Sequence, residues 1–152
     1  MTRKLAAFAF GRRTVAAAVF SGEQLEYTQA RQLSSESGKA EESAVGFANW
    51  IAQKFEVTSA AVLQPNLLTN SRRAALYRAV VAALRRNATP LWAVTKADLL
   101  RGLGIVPLSS LGELHESVVA IWPVLSQRSL NHLCLDAVGV GLHVQLERLF
   151  AD

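Results

Sequence analysis

Apolar and polar positions change their rhythm twice along this chain. Residues 5–10 form a short apolar run closed by Gly11, and residues 14–20 form a second, rich in valine and alanine, closed by Ser21-Gly22. In residues 24–33, Leu25, Tyr27, Gln29 and Arg31 alternate with smaller or polar neighbours. Short apolar or alternating runs joined by two- or three-residue links read as antiparallel strands in a meander. After the polar stretch 34–38 the period lengthens. Ala44, Phe47, Ala48 and Ile51 recur at helical spacing over residues 40–55, with Glu41 and Glu42 in the first turn. Residues 59–64 predict a fourth strand, stopped by Pro65. Residues 71–86 predict a helix with Ala75, Val80, Val81 and Leu84 inside, capped by Asn70 or Ser71. Residues 90–95 predict a fifth strand, 96–103 a short helix, 107–111 a loop, 112–122 a helix ended by Pro123, and 130–150 a long, largely buried closing helix.

Three antiparallel strands followed by strand–helix–strand units imply a mixed five-stranded sheet, because the crossovers demand parallel pairing. Helices then cover both faces. The expected architecture is α/β, in a single domain over residues 1–152.

Composition narrows the class. Residues of the AVILMFWYC set make up 51% and charged residues 18%, which excludes disorder and a coiled coil. A lone cysteine, Cys134, excludes an internal disulfide and a cysteine-based zinc site. No stretch reaches the ~18 apolar residues of a membrane helix. Residues 3–10 and 12–20 pair basic residues with apolar runs, as a leader does, but the runs are short and fit strands. The expectation is a reduced, cytoplasmic domain.

Sixteen Lys and Arg against twelve Asp and Glu give a net charge of +4. That permits an anionic partner without demanding one. Basic residues recur in pairs at Arg3-Lys4, Arg12-Arg13, Arg72-Arg73 and Arg85-Arg86, a pattern that also suits solvated helix ends.

The element order resembles the ribonuclease H-like fold, and several stretches resemble RuvC-type Holliday-junction resolvases. Phe8-Ala9-Phe10-Gly11 with residues 15–20 resembles that family's first hairpin. Residues 60–66 (AAVLQPN) with 71–86 resemble its fourth strand and next helix. Residues 91–102 and 113–125 resemble the segments that follow. Leu135-Asp136-Ala137-Val138-Gly139-Val140-Gly141 resembles its closing helix.

The resemblance implies phosphodiester hydrolysis by two magnesium ions held by four carboxylates. Here the first-strand position falls on Ala9, the fourth-strand position on Leu63 or Gln64, and the earlier closing-helix position near Leu133. Only the later one is acidic, as Asp136. One carboxylate cannot neutralise two divalent ions, so the expectation is a domain without nuclease activity, metal or other cofactor. Its partner would be DNA or RNA backbone, met by a basic rim of Arg12, Arg13, Arg72 and Arg73 at the strand ends. Self-association of that same module as a homodimer is an equal expectation, and a purely structural protein-interaction domain with no nucleic-acid role is the alternative of another class. A further alternative is a divergent magnesium-dependent endonuclease using Asp136 with Glu113 or Glu116, which share a helix face beside His115. The related actin-like ATPases need a phosphate loop and a second lobe, for which the chain has neither motif nor length.

Other residues read blandly. His115, His132 and His143 lack metal-motif spacing. Cys134 reads as a buried apolar side chain. Asp136 is expected to pair with a basic residue or to cap backbone. Gly139 and Gly141 are expected to bring the closing helix near the sheet. Trp50 and Trp92 are expected in the core, and Trp122 as an exposed contact able to stack on a base.

Overall fold

The computed structural model describes residues 3–34, 36, 38–67, 71–87, 89–101, 108–127 and 132–147, with the backbone of the last helix continuing to 151. The strands are β1 (Lys4–Phe10), β2 (Thr14–Ser21), β3 (Gln24–Gln32), β4 (Ser59–Gln64) and β5 (Leu91–Thr95). The helices are α1 (Lys39–Lys54), α2 (Arg72–Arg86), α3 (Lys96–Leu100), α4 (Leu111–Ile121) and α5 (His132–Ala151), with a 3₁₀ turn at Pro123–Gln127. The five strands form one sheet in the order β3-β2-β1-β4-β5. The meander β1–β2–β3 is antiparallel, while β1–β4 and β4–β5 are parallel. This is the mixed α/β sheet that the pattern predicts.

Strand alternation sorts the core into two layers. One face carries Ala6, Phe8 and Phe10 of β1 and Val15, Ala17 and Val19 of β2, packed under α1 and α2. The other carries Leu5, Ala7 and Ala9 with Ala16, Ala18 and Phe20, packed under α3, α4 and α5. With both faces covered, β1 and β2 are buried almost throughout. Strands β3 and β5 are the edges, and the residues of β3 are half-buried or exposed.

Local chemistry sets the boundaries. The β2–β3 turn needs φ +59° at Gly22, a region that glycine enters without steric cost. Ser71 caps α2, its Oγ accepting from the Ala74 N–H at 3.2 Å; Asn70, the other expected cap, lies outside the described residues. Within α2 the buried set is Ala74, Leu76, Tyr77, Val80, Val81, Ala83 and Leu84. Ala75 is therefore only half-buried, one position off the inner stripe. Helix α4 starts one residue earlier than expected, where Ser110 Oγ accepts from the Glu113 N–H at 3.3 Å.

The two glycines of α5 do different work. A Cβ on Gly141 would overlap the Phe20 ring of β2, so this glycine does bring α5 onto the sheet. A Cβ on Gly139 would lie 2.8 Å from Leu114 Cδ2, so this one admits α4 instead. No helix among the described residues is long and apolar enough to cross a membrane.

Candidate nucleic-acid interface

Parallel pairing brings the carboxyl ends of β1, β4 and β5 to one end of the sheet. In open α/β sheets that end is where ligands bind. A groove of about 800 Å³ lies there. Phe10 closes β1 at its floor, and Leu63 and Gln64 close β4. Pro65, Asn66, Leu67 and Arg73 form one wall, and Thr95, Lys96 and Ala97 another. Leu111, Leu133 and Asp136 come from the helices on the far side. Its lining is mostly apolar, with the cations Arg73 and Lys96 and, among the described residues, one carboxylate.

Local structure holds Thr95 and Asp136 in place. Thr95 ends β5 and caps α3: its Oγ1 accepts from the Asp98 N–H at 3.1 Å, while its own N–H donates to Asp98 Oδ2 at 2.9 Å. This reciprocal cap anchors Lys96 at the groove. The hydrogen bond from the Thr95 backbone holds the Asp98 carboxyl below its usual range, with help from the Thr95 hydroxyl and Arg101. Leu133 lies over the β1–β2 turn, its Cδ2 3.5 Å from where a Cβ on Gly11 would stand.

Asp136 sits on the first turns of α5 and is 8% exposed. Its Oδ1 lies 2.6 Å from His115 Nε2 on α4, so the ring donates to the carboxylate. The His115 ring stacks on His132, centroids 5.5 Å apart. The basic partner expected for Asp136 is thus a histidine 21 residues earlier in the chain. Glu113 is engaged elsewhere: Ser109 donates to it through N–H at 2.9 Å and Oγ at 2.6 Å, which lowers its carboxyl pKa. Glu116 is exposed. Among the described residues, no three His, Cys, Asp or Glu side chains come close enough to hold a metal ion. Cys134 is buried, and burial pushes its thiol pKa up.

The expected basic rim divides in two. Arg12, in the β1–β2 turn, meets Arg72, in the first turn of α2, across a crevice of about 110 Å³ that Glu36 and Glu41 also line. Arg73, one residue on, turns to the large groove and stands with Lys96. Arg13 is exposed in the same turn, and its carbonyl accepts from the Leu33 N–H at 2.7 Å. Lys96 is the rim cation that sequence reasoning missed. Its signal was its place directly after a predicted strand.

The tryptophans exchange expected roles. Trp50 is 39% exposed on α1. Trp122 is half-buried, packing edge-on against Phe20 at 5.9 Å. Trp92 is half-buried against the α5-side core.

No protein-family model and no curated protein sequence matches the chain. Solved structures do. RuvC from Thermus thermophilus superposes with a TM-score of 0.80 over 97% of this chain and 96% of that one, at 14% identity. T. thermophilus RuvC in complex with Holliday junction substrate gives the same TM-score at 15% identity, covering 98% and 96%. The yeast mitochondrial Holliday junction resolvase gives 0.66 at 11% identity, covering 97% and 83%. The chain has the RuvC-type, ribonuclease H-like fold. Of the positions that the resemblance marked, Leu63 with its alternative Gln64, Leu133 and Asp136 line one groove. The fourth, Ala9, lies beneath in the α5-side core, one residue before Phe10 at the floor.

Proposed function

We propose that this chain is a RuvC-fold module that binds nucleic-acid backbone at the carboxyl end of its sheet and does not cleave it. One observation carries the reading: the groove where the fold would gather acids is lined by Leu63, Gln64 and Leu133, and its one carboxylate among the described residues, Asp136, is tied to His115. Magnesium takes hard oxygen ligands, chiefly carboxylates. The residues present do not fit a magnesium pair, so no metal step is assigned here. Arg12, Arg13, Arg72, Arg73 and Lys96 remain as cations around that end. Guanidinium forks suit phosphate oxygens, and such contacts position a strand without reading its bases. The solved structures of similar fold include resolvases in complex with Holliday junction DNA, which makes branched DNA the first ligand to try.

The test is a titration against a four-way junction and a matched duplex at two salt concentrations with magnesium present, the products run on a gel. Binding that weakens steeply with salt, with uncut DNA, is the expected result. Replacing Arg12, Arg13, Arg72 and Arg73 together by alanine is expected to flatten the salt dependence by up to about 0.9 per lost phosphate contact. Cleavage would overturn the reading and return attention to Asp136 with Glu113 and Glu116. A protein-interaction role, including a homodimer, is favoured by Ile121, which ends α4, and Val124 in the 3₁₀ turn, which are 51% and 52% exposed. Sedimentation across a concentration range separates it: a monomer throughout removes the homodimer.

A further inference from the structure

The β3–α1 flank stands apart from the groove. Helix α1 starts at the groove end of the sheet, where Glu41 lines the crevice with Arg12. Trp50 lies about 13 Å further along the helix axis, at 1.5 Å per residue. Its ring stacks on Phe47 at 6.2 Å and meets Tyr27 and Phe55 edge-on at 6.3 and 6.4 Å. Those contacts hold the ring on its inner side and leave it 39% exposed.

Two cations attend this cluster. Arg31 of β3 lies 4.6 Å from the Phe47 ring centre and 5.8 Å from that of Trp50. Lys54 Nζ lies 5.2 Å from the Trp50 centre. Both side chains are exposed, and neither joins an ion pair among the described residues. Helix α1 carries no Asp or Glu after Glu42, and Glu26 on β3 is taken by Lys4 at 3.1 Å. Glu56, exposed two residues past Lys54, is set against these two cations, so the patch is aromatic with cations in excess.

Gly46 supplies an independent observation. It lies in the middle of α1, exposed, four residues before Trp50 and so on the same helix face. Glycine weakens a helix interior. No packing requires it, since a Cβ there would meet nothing within 4 Å. The Trp50 ring too lies beyond that distance, held against Phe47, Tyr27 and Phe55, so the helix surface next to it is left bare. The result is an open shelf beside a tryptophan.

We propose that this flank is a stacking site for an unpaired nucleobase of a single strand, with Trp50 as the platform and Arg31 and Lys54 on the adjoining phosphates. Base–aromatic stacking tolerates any sequence and is stronger than the exposed cation–π contact that Lys54 would surrender. A displaced lysine would swing onto phosphate. The proposal shares with the groove reading only the class of ligand. It uses different residues on a different flank, so either can fail alone.

The experiment measures binding of a labelled oligothymidylate by anisotropy, with tryptophan emission followed in parallel. Binding is expected to quench the emission. Trp50→Ala is expected to raise Kd about tenfold, and Trp50→Phe to raise it less. Gly46→Leu, which fills the shelf with a better helix former, is expected to raise Kd while the helix holds. Lys54→Ala is expected to lower the salt slope by about 0.7. Should Trp50→Ala loosen the fold, Gly46→Leu and Lys54→Ala at exposed positions decide the matter. Lost oligothymidylate binding with junction binding retained supports the proposal. Unchanged Kd in Gly46→Leu and Trp50→Phe, together with an unchanged slope in Lys54→Ala, overturns it, whatever the groove variants do.

Discussion

Strand β1 shows its two neighbours different surfaces. Toward α1 and α2 it turns Ala6, Phe8 and Phe10, which meet Phe47, Tyr77 and the valines of α2. Toward α5 it turns Leu5, Ala7 and Ala9, which join Ala16, Ala18 and Ala61 beneath Ala137 and Gly141. The first layer is built from large side chains that interdigitate. The second is built from small ones that let a helix approach the strands. Position 9 belongs to this alanine layer and is 1% exposed. Its alanine is thus accounted for by packing whatever its ancestry, and the groove above it is walled by the leucines that finish the same layer.

The layers are expected to fail in opposite ways. The first should suffer most from lost volume: Phe47→Ala, at a fully buried position, is expected to cost about 3–5 kcal/mol in urea unfolding. The second should suffer from added volume. Gly141→Ala is expected to cost about 1–3 kcal/mol, and Phe20→Leu in the same chain to recover part of it by clearing the space. A Gly141→Ala protein as stable as the parent would erase the distinction between the layers.

The groove side also carries a polar contact that the first layer lacks. His115→Ala leaves the Asp136 carboxylate without its described donor and is expected to cost about 1–3 kcal/mol. Adding Asp136→Leu should then restore stability, because removing both partners spares the desolvation penalty. A double-mutant cycle showing simple additivity would sink that account.

The smallest effect concerns the rim. Asp98→Ala removes half of the α3 cap, for about 1 kcal/mol. The Asp98 pKa is lowered in the folded chain, chiefly by the Thr95 backbone bond. Its contribution is therefore present above the unfolded value near ~4 and lost as pH falls through the folded one. Acid unfolding of Asp98→Ala should accordingly begin less steeply than that of the parent.

Much of the fold was legible because β1, β2 and β4 are short apolar runs between turn residues, and α1 and α2 carry clean helical stripes. What escaped was set by contacts between distant elements. Nothing in the spacing of α4 and α5 says that His115 reaches Asp136, or that Gly139 admits Leu114 of α4. Trp50 and Trp122 were exchanged for a related reason. Trp50 sits at the border of the α1 stripe, where one step in helical phase decides between core and solvent. Trp122 ends a helix, and the 3₁₀ turn after it folds the ring back onto Phe20. The basic pairs were found as pairs, yet consecutive residues on a helix diverge, so Arg72 and Arg73 line different cavities.

The lid over the alanine layer is also the last described element to leave the ribosome. By then β1 and β2 have been in existence for more than a hundred residues of synthesis, roughly 5–20 seconds at about 5–20 residues per second. For that time Ala9, Ala16, Ala18 and Phe20 have no α5 above them. A nascent chain halted before α5 therefore displays a flat apolar sheet face of the kind that chaperones bind and aggregates recruit. The close approach that Gly141 permits in the finished molecule thus makes the order of synthesis a hazard, and completion of α5 the step that ends it.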